Sequence, residues 1–416
     1  MTESSNLMSR RAPMPPGPAA GMSTTARYGS RRTFLRQGAS VVAASTFISA
    51  PWVVRAQGPL TLRFRTIPDP DGWHESLRLK GDWLVFEISD GRLAGFGEAS
   101  HSNDDEACKQ AAARLFAEHY AGLRAFSIET LAAKEREIGA LEPDFVTATA
   151  FSGLNQALYD LLAKREQVPV WRLFRDSTSI DGLPLYATIN RALTSRSAED
   201  YDAVVGDVAQ QGFKAYKCAP FEAVDGPDRA VEKAAAGLAT LTRLRDRFPD
   251  LAVRVDFHER FLPKDFYTLI PQLETLQLDW IEEPFEVGPE YDELKRRTRL
   301  KIAGGELFWG TKRFAEIAAR RWVHVIMPDV KHVGGFGPLL TVMESTAGQV
   351  EVSPHNPSGP ISTAASLHAA AIHPELVRSL EYPLDRKLTR RVTGERVEDG
   401  VLLLGDEPGW GVEPPA

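Results

Sequence analysis

Six short segments in the second half of the chain share one layout, an apolar run ending in a residue able to bind a metal ion or move a proton. They are Val253-Arg254-Val255-Asp256-Phe257-His258, Trp280-Ile281-Glu282-Glu283-Pro284, Ile302-Ala303-Gly304-Gly305-Glu306, Val325-Ile326-Met327-Pro328-Asp329, Val350-Glu351-Val352-Ser353-Pro354-His355 and Val377-Arg378-Ser379-Leu380-Glu381. From Asp256 the end residues recur after 26 positions (Glu282), 24 (Glu306), 23 (Asp329), 26 (His355) and 26 (Glu381). A strand, a helix and two short loops fill such an interval. The repeat predicts βα units closing into a barrel, with one working residue at the C-terminal end of each strand, where barrel enzymes keep their chemistry.

At 416 residues the chain is too long for one compact domain, and two are expected. The formal charge is −7; residues 1–56 hold seven arginines, no lysine and one acid (Glu3), about +6, so the remainder carries about −13. That balance argues against nucleic acid or an anionic membrane surface as partner. Cys108 and Cys218 stand in neither a CxxC nor a metal-type spacing and read as free, partly buried thiols.

Residues 1–29, rich in Pro, Ser, Gly and Arg and without periodicity, read as disordered. Ser30-Arg31-Arg32-Thr33-Phe34-Leu35-Arg36 follows, then apolar stretches from Ala39 to Ile48 and Ala50 to Val54, and Val54-Arg55-Ala56, which suits a signal peptidase. This run resembles a twin-arginine export signal, and its apolar part is too short and interrupted for a stable membrane span. The expectation is a protein exported folded by the twin-arginine machinery, starting near Gln57 and working in the periplasm.

Residues 57–180 read as an α+β cap. Leu60 to Thr66 alternates as a half-buried strand, Leu77 to Ile88 reads as a second strand pair, Asp90-Gly91 as a hairpin turn, and Gly95 to Ala99 closes a third strand. Helices are expected at about 104–120, 127–139 and 146–165. His74 and His101 lie in loops that could reach over the barrel mouth. Residues 181–385 read as the barrel: Pro184 to Asn190 and Gly212 to Lys217 precede the six repeated segments, giving eight strands. Residues 386–416, turn-rich and ending Gly409-Trp410-Gly411, are expected to return to the cap or seal the barrel edge.

Asp256, Glu282 and Glu306 end three consecutive strands, so their carboxylates converge on one side of the mouth. Crowded carboxylates raise one another's pKa unless a cation joins them. All-oxygen ligation of a hard ion selects Mg²⁺. Asp329 and His355 end the next two strands; an Asp bonded to one imidazole nitrogen fixes the tautomer and makes the other a general base.

With these residues in place the chain resembles the enolase superfamily, in its mandelate racemase subgroup, across nearly all of residues 60–416. The motifs are Val-Asp256-Phe-His, Trp-Ile-Glu282-Glu-Pro, Gly-Gly-Glu306, Pro-Asp329-Val-Lys-His-Val-Gly-Gly and Ser-Pro-His355-Asn-Pro. The resemblance implies a modified TIM-type (β/α)7β barrel with an α+β capping domain. It also implies Mg²⁺ held by Asp256, Glu282 (rather than Glu283) and Glu306, and abstraction of the proton next to a substrate carboxylate. Glu381 falls where the family places an acid that hydrogen-bonds that carboxylate. A symmetric homo-oligomer is usual in the family.

The family's Lys-x-Lys at the end of strand two reads here Lys217-Cys218-Ala219, so the second lysine is absent. His258 instead completes Asp-x-His, which in similar acid-sugar dehydratases, such as galactonate dehydratase, is the general acid for the departing β-hydroxyl. His332 matches the Pro-Asp-x-x-His-x-Gly-Gly run of those enzymes. The expected activity is dehydration of an aldonate or uronate to a 2-keto-3-deoxy acid. In it His355 removes the C2 proton, Lys217 and Mg²⁺ meet the developing charge, and Asn190, Arg191, Arg260 and Asn356 contact substrate. A hydroxy-acid racemase or epimerase, and a periplasmic binding module without turnover, are the alternatives.

Overall fold

The computed structural model describes residues 54–55, 58–67, 82–224, 230–384 and 393–414. The leader expected over residues 1–56 lies outside the described residues except for Val54–Arg55, a short strand antiparallel to Ala125–Phe126. His74 and the loop around it also lie outside them. Among the described residues no helix is long and apolar enough to cross a membrane.

The cap is an antiparallel meander of Thr61–Ile67, Trp83–Ser89 and Ala94–Glu98. Its turn follows from Asp90, whose Oδ1 accepts the N–H groups of Arg92 and Leu93 at 2.8 Å, and from Gly91 at φ +88°. Three helices follow, Asp105–His119, Ile128–Gly139 and Phe145–Glu166. Each begins where a side chain takes an otherwise unpaired backbone N–H: Asp104 from Ala107, Ser127 from Thr130, Asp144 from Thr147.

The third helix is buried from Ala148 to Ala163 on every face, because it lies between the cap sheet and the barrel. On the sheet side glycine permits close approach. A Cβ on Gly97 would sit 2.0 Å from Gly153 O, and one on Gly95 2.1 Å from Ala157 O. On the barrel side the helix carries a polar stripe. Ser152 Oγ accepts Gly334 N–H (2.9 Å), Asn155 Oδ1 accepts Phe336 N–H (2.7 Å), and Gln156 Nε2 donates to Val330 O (3.3 Å).

The barrel strands among the described residues are Gly182–Thr188, Ala215–Cys218, Ala252–Asp256, Trp280–Glu282, Ile302–Gly304, Val325–Ile326, Glu351–Val352 and Leu380–Pro383. They pair in parallel in chain order, and the eighth returns to pair with the first. A parallel bridge, Val352 to Val377, joins the seventh to the chain entering the eighth. A helix separates each consecutive pair of strands, which is the (β/α)7β order. Inside, Arg254 lies between the rings of Tyr186 (4.1 Å) and Trp280 (3.8 Å) and donates to Asp279 at 2.8 Å.

The described residues fall within one compact unit, and cap and barrel share a continuous apolar core. Two further ties cross the joint. Glu98, ending the cap sheet, accepts Gly359 N–H (2.9 Å) and Ser362 N–H (3.1 Å), a buried anion at the N-terminus of barrel helix Pro360–Ile372. Near the C-terminus, Val401–Leu403 pairs antiparallel with strand one, and Trp410 donates from Nε1 to Phe96 O at 3.0 Å.

His368 sits beneath Trp410. Its Nδ1 accepts Trp171 N–H (3.2 Å), so Nε2 carries the proton and faces Trp410 O (3.3 Å). Burial pushes its pKa down to about 4. A depressed imidazole pKa contributes stability that is complete above the unfolded value near 6.5 and lost as pH falls through 4. Thermal unfolding should therefore weaken between pH 6.5 and 4, by up to about 3 kcal/mol from this group. His368→Asn should flatten that slope; an unchanged slope would place the acid sensitivity elsewhere.

Candidate active site

The ends of strands three, four and five stand side by side, Asp256 paired in register with Glu282 and Glu282 with Ala303. Asp256, Glu282 and Glu306 are all buried. Lys217, from strand two, points its ammonium among them. Nζ is 2.7 Å from Glu282 Oε1, 2.9 Å from Glu381 Oε1, 3.6 Å from Asp256 Oδ2 and 3.9 Å from Glu306 Oε2. Glu282 Oε2 accepts Trp280 Nε1–H at 3.0 Å. Among the described residues, ligand-type atoms of Asp256, His258 and Glu306 lie within 4.8 Å of one another. Both Glu282 oxygens have partners, Oε1 in Lys217 and Oε2 in Trp280.

His258 reaches the group by a turn rather than by continuing the strand. His258 and Glu259 have φ of +48° and +55°. The bend brings His258 N–H to Asp256 Oδ1 (2.9 Å) and its Nε2 to Asp256 Oδ2 (2.8 Å). Glu283 turns the other way, its Oε1 accepting the N–H groups of Gly305 (2.5 Å) and Glu306 (3.1 Å), so it anchors the neighbouring strand end.

Burial, then the Asp256, Glu306 and Glu381 carboxylates, hold the Glu282 pKa well above its ordinary value against the pull of Lys217. Burial and Glu306 push Glu283 up to about 8. For Lys217 burial disfavours the charge, but Glu282, Glu381 and Asp256 outweigh it and raise the pKa. For His258 burial is likewise outweighed by Asp256, and the pKa rises. Among the described residues Glu306 Oε2 and Glu381 Oε1 are buried acceptors with no aligned donor, despite His355 Nε2 at 3.1 Å and Lys217 at 2.9 Å. Clustered carboxylates with unsatisfied oxygens fit a hard divalent cation.

Behind this cluster Asp329 Oδ2 accepts His355 Nδ1–H at 2.8 Å, since a carboxylate only accepts, and leaves His355 Nε2 facing Glu306. Burial disfavours a charged His355, yet Glu306, Glu381 and Asp329 together hold its pKa well above the ordinary value. Lys331, which the motif reading passed over, binds both Asp329 oxygens at 2.9 and 2.7 Å. The Asp-x-Lys spacing is the signal that could have found it.

Five of the expected site residues have partners within the protein. Asn356 spends its amide on Thr363 Oγ1, Glu381 O and Ser362 Oγ, and its N–H on Glu381 Oε2 (3.1 Å), so it orients Glu381 instead. His332 donates from Nδ1 to Thr149 Oγ1 (2.9 Å), whose own proton goes to Phe145 O. Burial pushes the His332 pKa to about 4, so the ring is neutral and serves the cap joint. Arg260 turns to Glu222 O and Val224 O. Asn190 Oδ1 accepts Ala219 N–H at 2.9 Å, which fixes the end of strand two. Arg191 meets the cap's His101, Nη2 to Nε2 at 2.5 Å.

Residues 200–416 match the family described as enolase C-terminal domain-like, and residues 79–174 match mandelate racemase / muconate lactonizing enzyme, N-terminal domain. A D-galactonate dehydratase of Verminephrobacter eiseniae (strain EF01-2) is 27% identical over 351 residues, 81% of this chain and 90% of that protein. One from Cronobacter sakazakii (strain ATCC BAA-894) is 28% identical over 280 residues, 64% of this chain and 72% of that protein. A mandelate racemase/muconate lactonizing enzyme from Jannaschia sp. CCS1, known by crystal structure, superposes with a TM-score of 0.75 at 23% identity, covering 86% of this chain and 95% of the other.

Glu283→Leu should weaken divalent-cation binding about 10-fold or more, because it frees the strand end that presents Glu306. Calorimetric titration of the metal into the protein measures this, and an unchanged affinity would show that the two amides need no such anchor.

Proposed function

The chain belongs to the mandelate racemase / muconate lactonizing enzyme family of the enolase superfamily, and on that premise we propose that it is a Mg²⁺-dependent acid-sugar dehydratase. Its similarity to two D-galactonate dehydratases supports a hydro-lyase in a family that also holds isomerases. Asp256, Glu282 and Glu306 would hold the ion. When bound, Mg²⁺ supplies positive charge against the negative charge developing on the substrate carboxylate.

The chain's own groups divide the remaining work. His355 Nε2 takes the proton from the carbon next to the carboxylate, its ring held by Asp329. Lys217 adds a fixed cation beside Glu381. His258, bonded to Asp256, gives its proton to the departing β-hydroxyl, which leaves as water. Ketonisation then yields a 2-keto-3-deoxy acid.

The observation that carries this reading is the contrast between the ends of strands two and three. A racemase needs an acid/base group on each face of one carbon. Strand two ends in the buried methyl of Ala219, and Lys217 is fixed between Glu282 and Glu381. Across the strand order from His355 the chain offers His258, and that supports elimination over racemisation.

A panel of aldonic and uronic acids, assayed with and without chelator, should show formation of a 2-keto acid that stops on chelation. His258→Asn should lose elimination by about 100-fold or more while still exchanging the α-proton in heavy water. Exchange without elimination in the wild-type enzyme would sink the dehydratase and favour an isomerase. The leader motif supports export: Arg31→Lys with Arg32→Lys should hold the protein in the cytoplasm on fractionation, and unchanged periplasmic recovery would refute the twin-arginine route.

A further inference from the structure

We propose that Lys331 is a positioning residue for proton abstraction, acting on His355 through Asp329. The inference rests on His355 being the base of the proposed reaction. Lys331 and Asp329 are both fully buried, at 0% side-chain exposure. The ammonium lies 2.9 Å from Oδ1 and 2.7 Å from Oδ2, and the Lys331 backbone N–H adds a bond to Oδ1 at 2.8 Å. Oδ2 is also the oxygen that receives His355 Nδ1–H at 2.8 Å.

Two physical consequences follow. Asp329 is fully buried, and a buried carboxylate without a countercharge is costly. Lys331 supplies that charge directly, bonded to both oxygens, so that the carboxylate does not depend on the charge of His355. Three bonds from one residue also fix the carboxylate plane, so that Oδ2 meets Nδ1 in a single orientation and Nε2 is aimed at the cation-binding carboxylates. Lys331 touches Asp329 and acts at one remove.

The surrounding backbone is immobilised from the cap. Gln156 Nε2 holds Val330 O, Thr149 holds His332, and Ser152 holds Gly334, so the residues on either side of Lys331 are tied to one helix. A lysine in an anchored loop, bonded to both oxygens of one buried acid, is arranged as a fixed support. The resemblance to acid-sugar dehydratases assigns the neighbouring Asp329 and His332 but leaves this lysine without a role.

The test is a double-mutant cycle on Lys331 and Asp329, with Lys331→Gln beside Lys331→Met in case the apolar variant folds poorly. In the wild-type background either Lys331 change should lower kcat for elimination and for α-proton exchange about 100-fold, with KM and metal affinity within about 3-fold. In an Asp329→Asn background the same change should alter kcat by less than about 3-fold, because the carboxylate through which the lysine acts is gone. Equal losses in both backgrounds, or unchanged kcat in the wild-type background, would overturn the proposal. A readout free of substrate runs alongside. In ¹⁵N-histidine-labelled protein, the hydrogen-bonded His355 Nδ1 proton should shift or vanish in Lys331→Gln, and an unaltered resonance would overturn the proposal even if no tested acid turns over. Wild-type protein inactive on every acid, with that resonance moved by Lys331→Gln, would count against the dehydratase reading alone.

Discussion

Among the described residues the carboxylates of Asp256, Glu282, Glu283, Glu306, Asp329 and Glu381 are buried at one end of the barrel. The topology forces this crowding, because consecutive parallel strands deliver their C-terminal ends to the same rim. Buried acids at such density take up protons or find cations. The chain provides two internal ammonium groups for different members. Lys217 stands among Asp256, Glu282, Glu306 and Glu381, while Lys331 is bonded to Asp329. The pKa of Glu282 stays raised in spite of Lys217, as expected of a cluster with more negative charge than one lysine balances.

That constraint explains the cap's form. Buried charge tolerates little positional error, and the loop carrying Asp329 and Lys331 has few backbone partners within the barrel. The cap helix Phe145–Glu166 supplies them through Ser152, Asn155 and Gln156. Its opposite face must then lie hard against the cap sheet, which Gly95, Gly97 and Gly153 permit. Glu98 extends the same logic to the helix after strand seven, whose first turn it caps across the joint. The helix packed on the cap sheet is thus also the one that holds the loop carrying Asp329 and Lys331.

The barrel was legible in the sequence because six of its strands end in a residue of conspicuous chemistry at near-constant spacing, and the cap helices begin within about two residues of the expected positions, where the structure shows Asp104, Ser127 and Asp144 capping them. The site was legible only as a set of side chains brought to one rim. Which atoms face which depends on turns and rotamers. Asn356 follows His355 directly, yet Thr363 and Ser362, in the first turn of the next helix, consume its amide. His258 faces Asp256 through a left-handed bend, not by strand alternation. Lys331 sat in a motif read for its neighbours, and its pairing needs the rotamer that folds it back onto Asp329.

The placement of the two histidines follows from the same topology. His258 follows strand three and His355 follows strand seven, four strands apart in a series of eight whose ends meet. Each has its own aspartate, Asp256 for one and Asp329 for the other. Their surroundings differ: Asp256 belongs with Glu306 to the acidic group beside Lys217, while Asp329 is paired with Lys331. A second lysine at position 219 would have placed another ammonium at the end of strand two, beside Lys217. Ala219 leaves that place apolar, and on the proposed reaction the asymmetry between the histidines separates the group that takes a proton from the group that gives one.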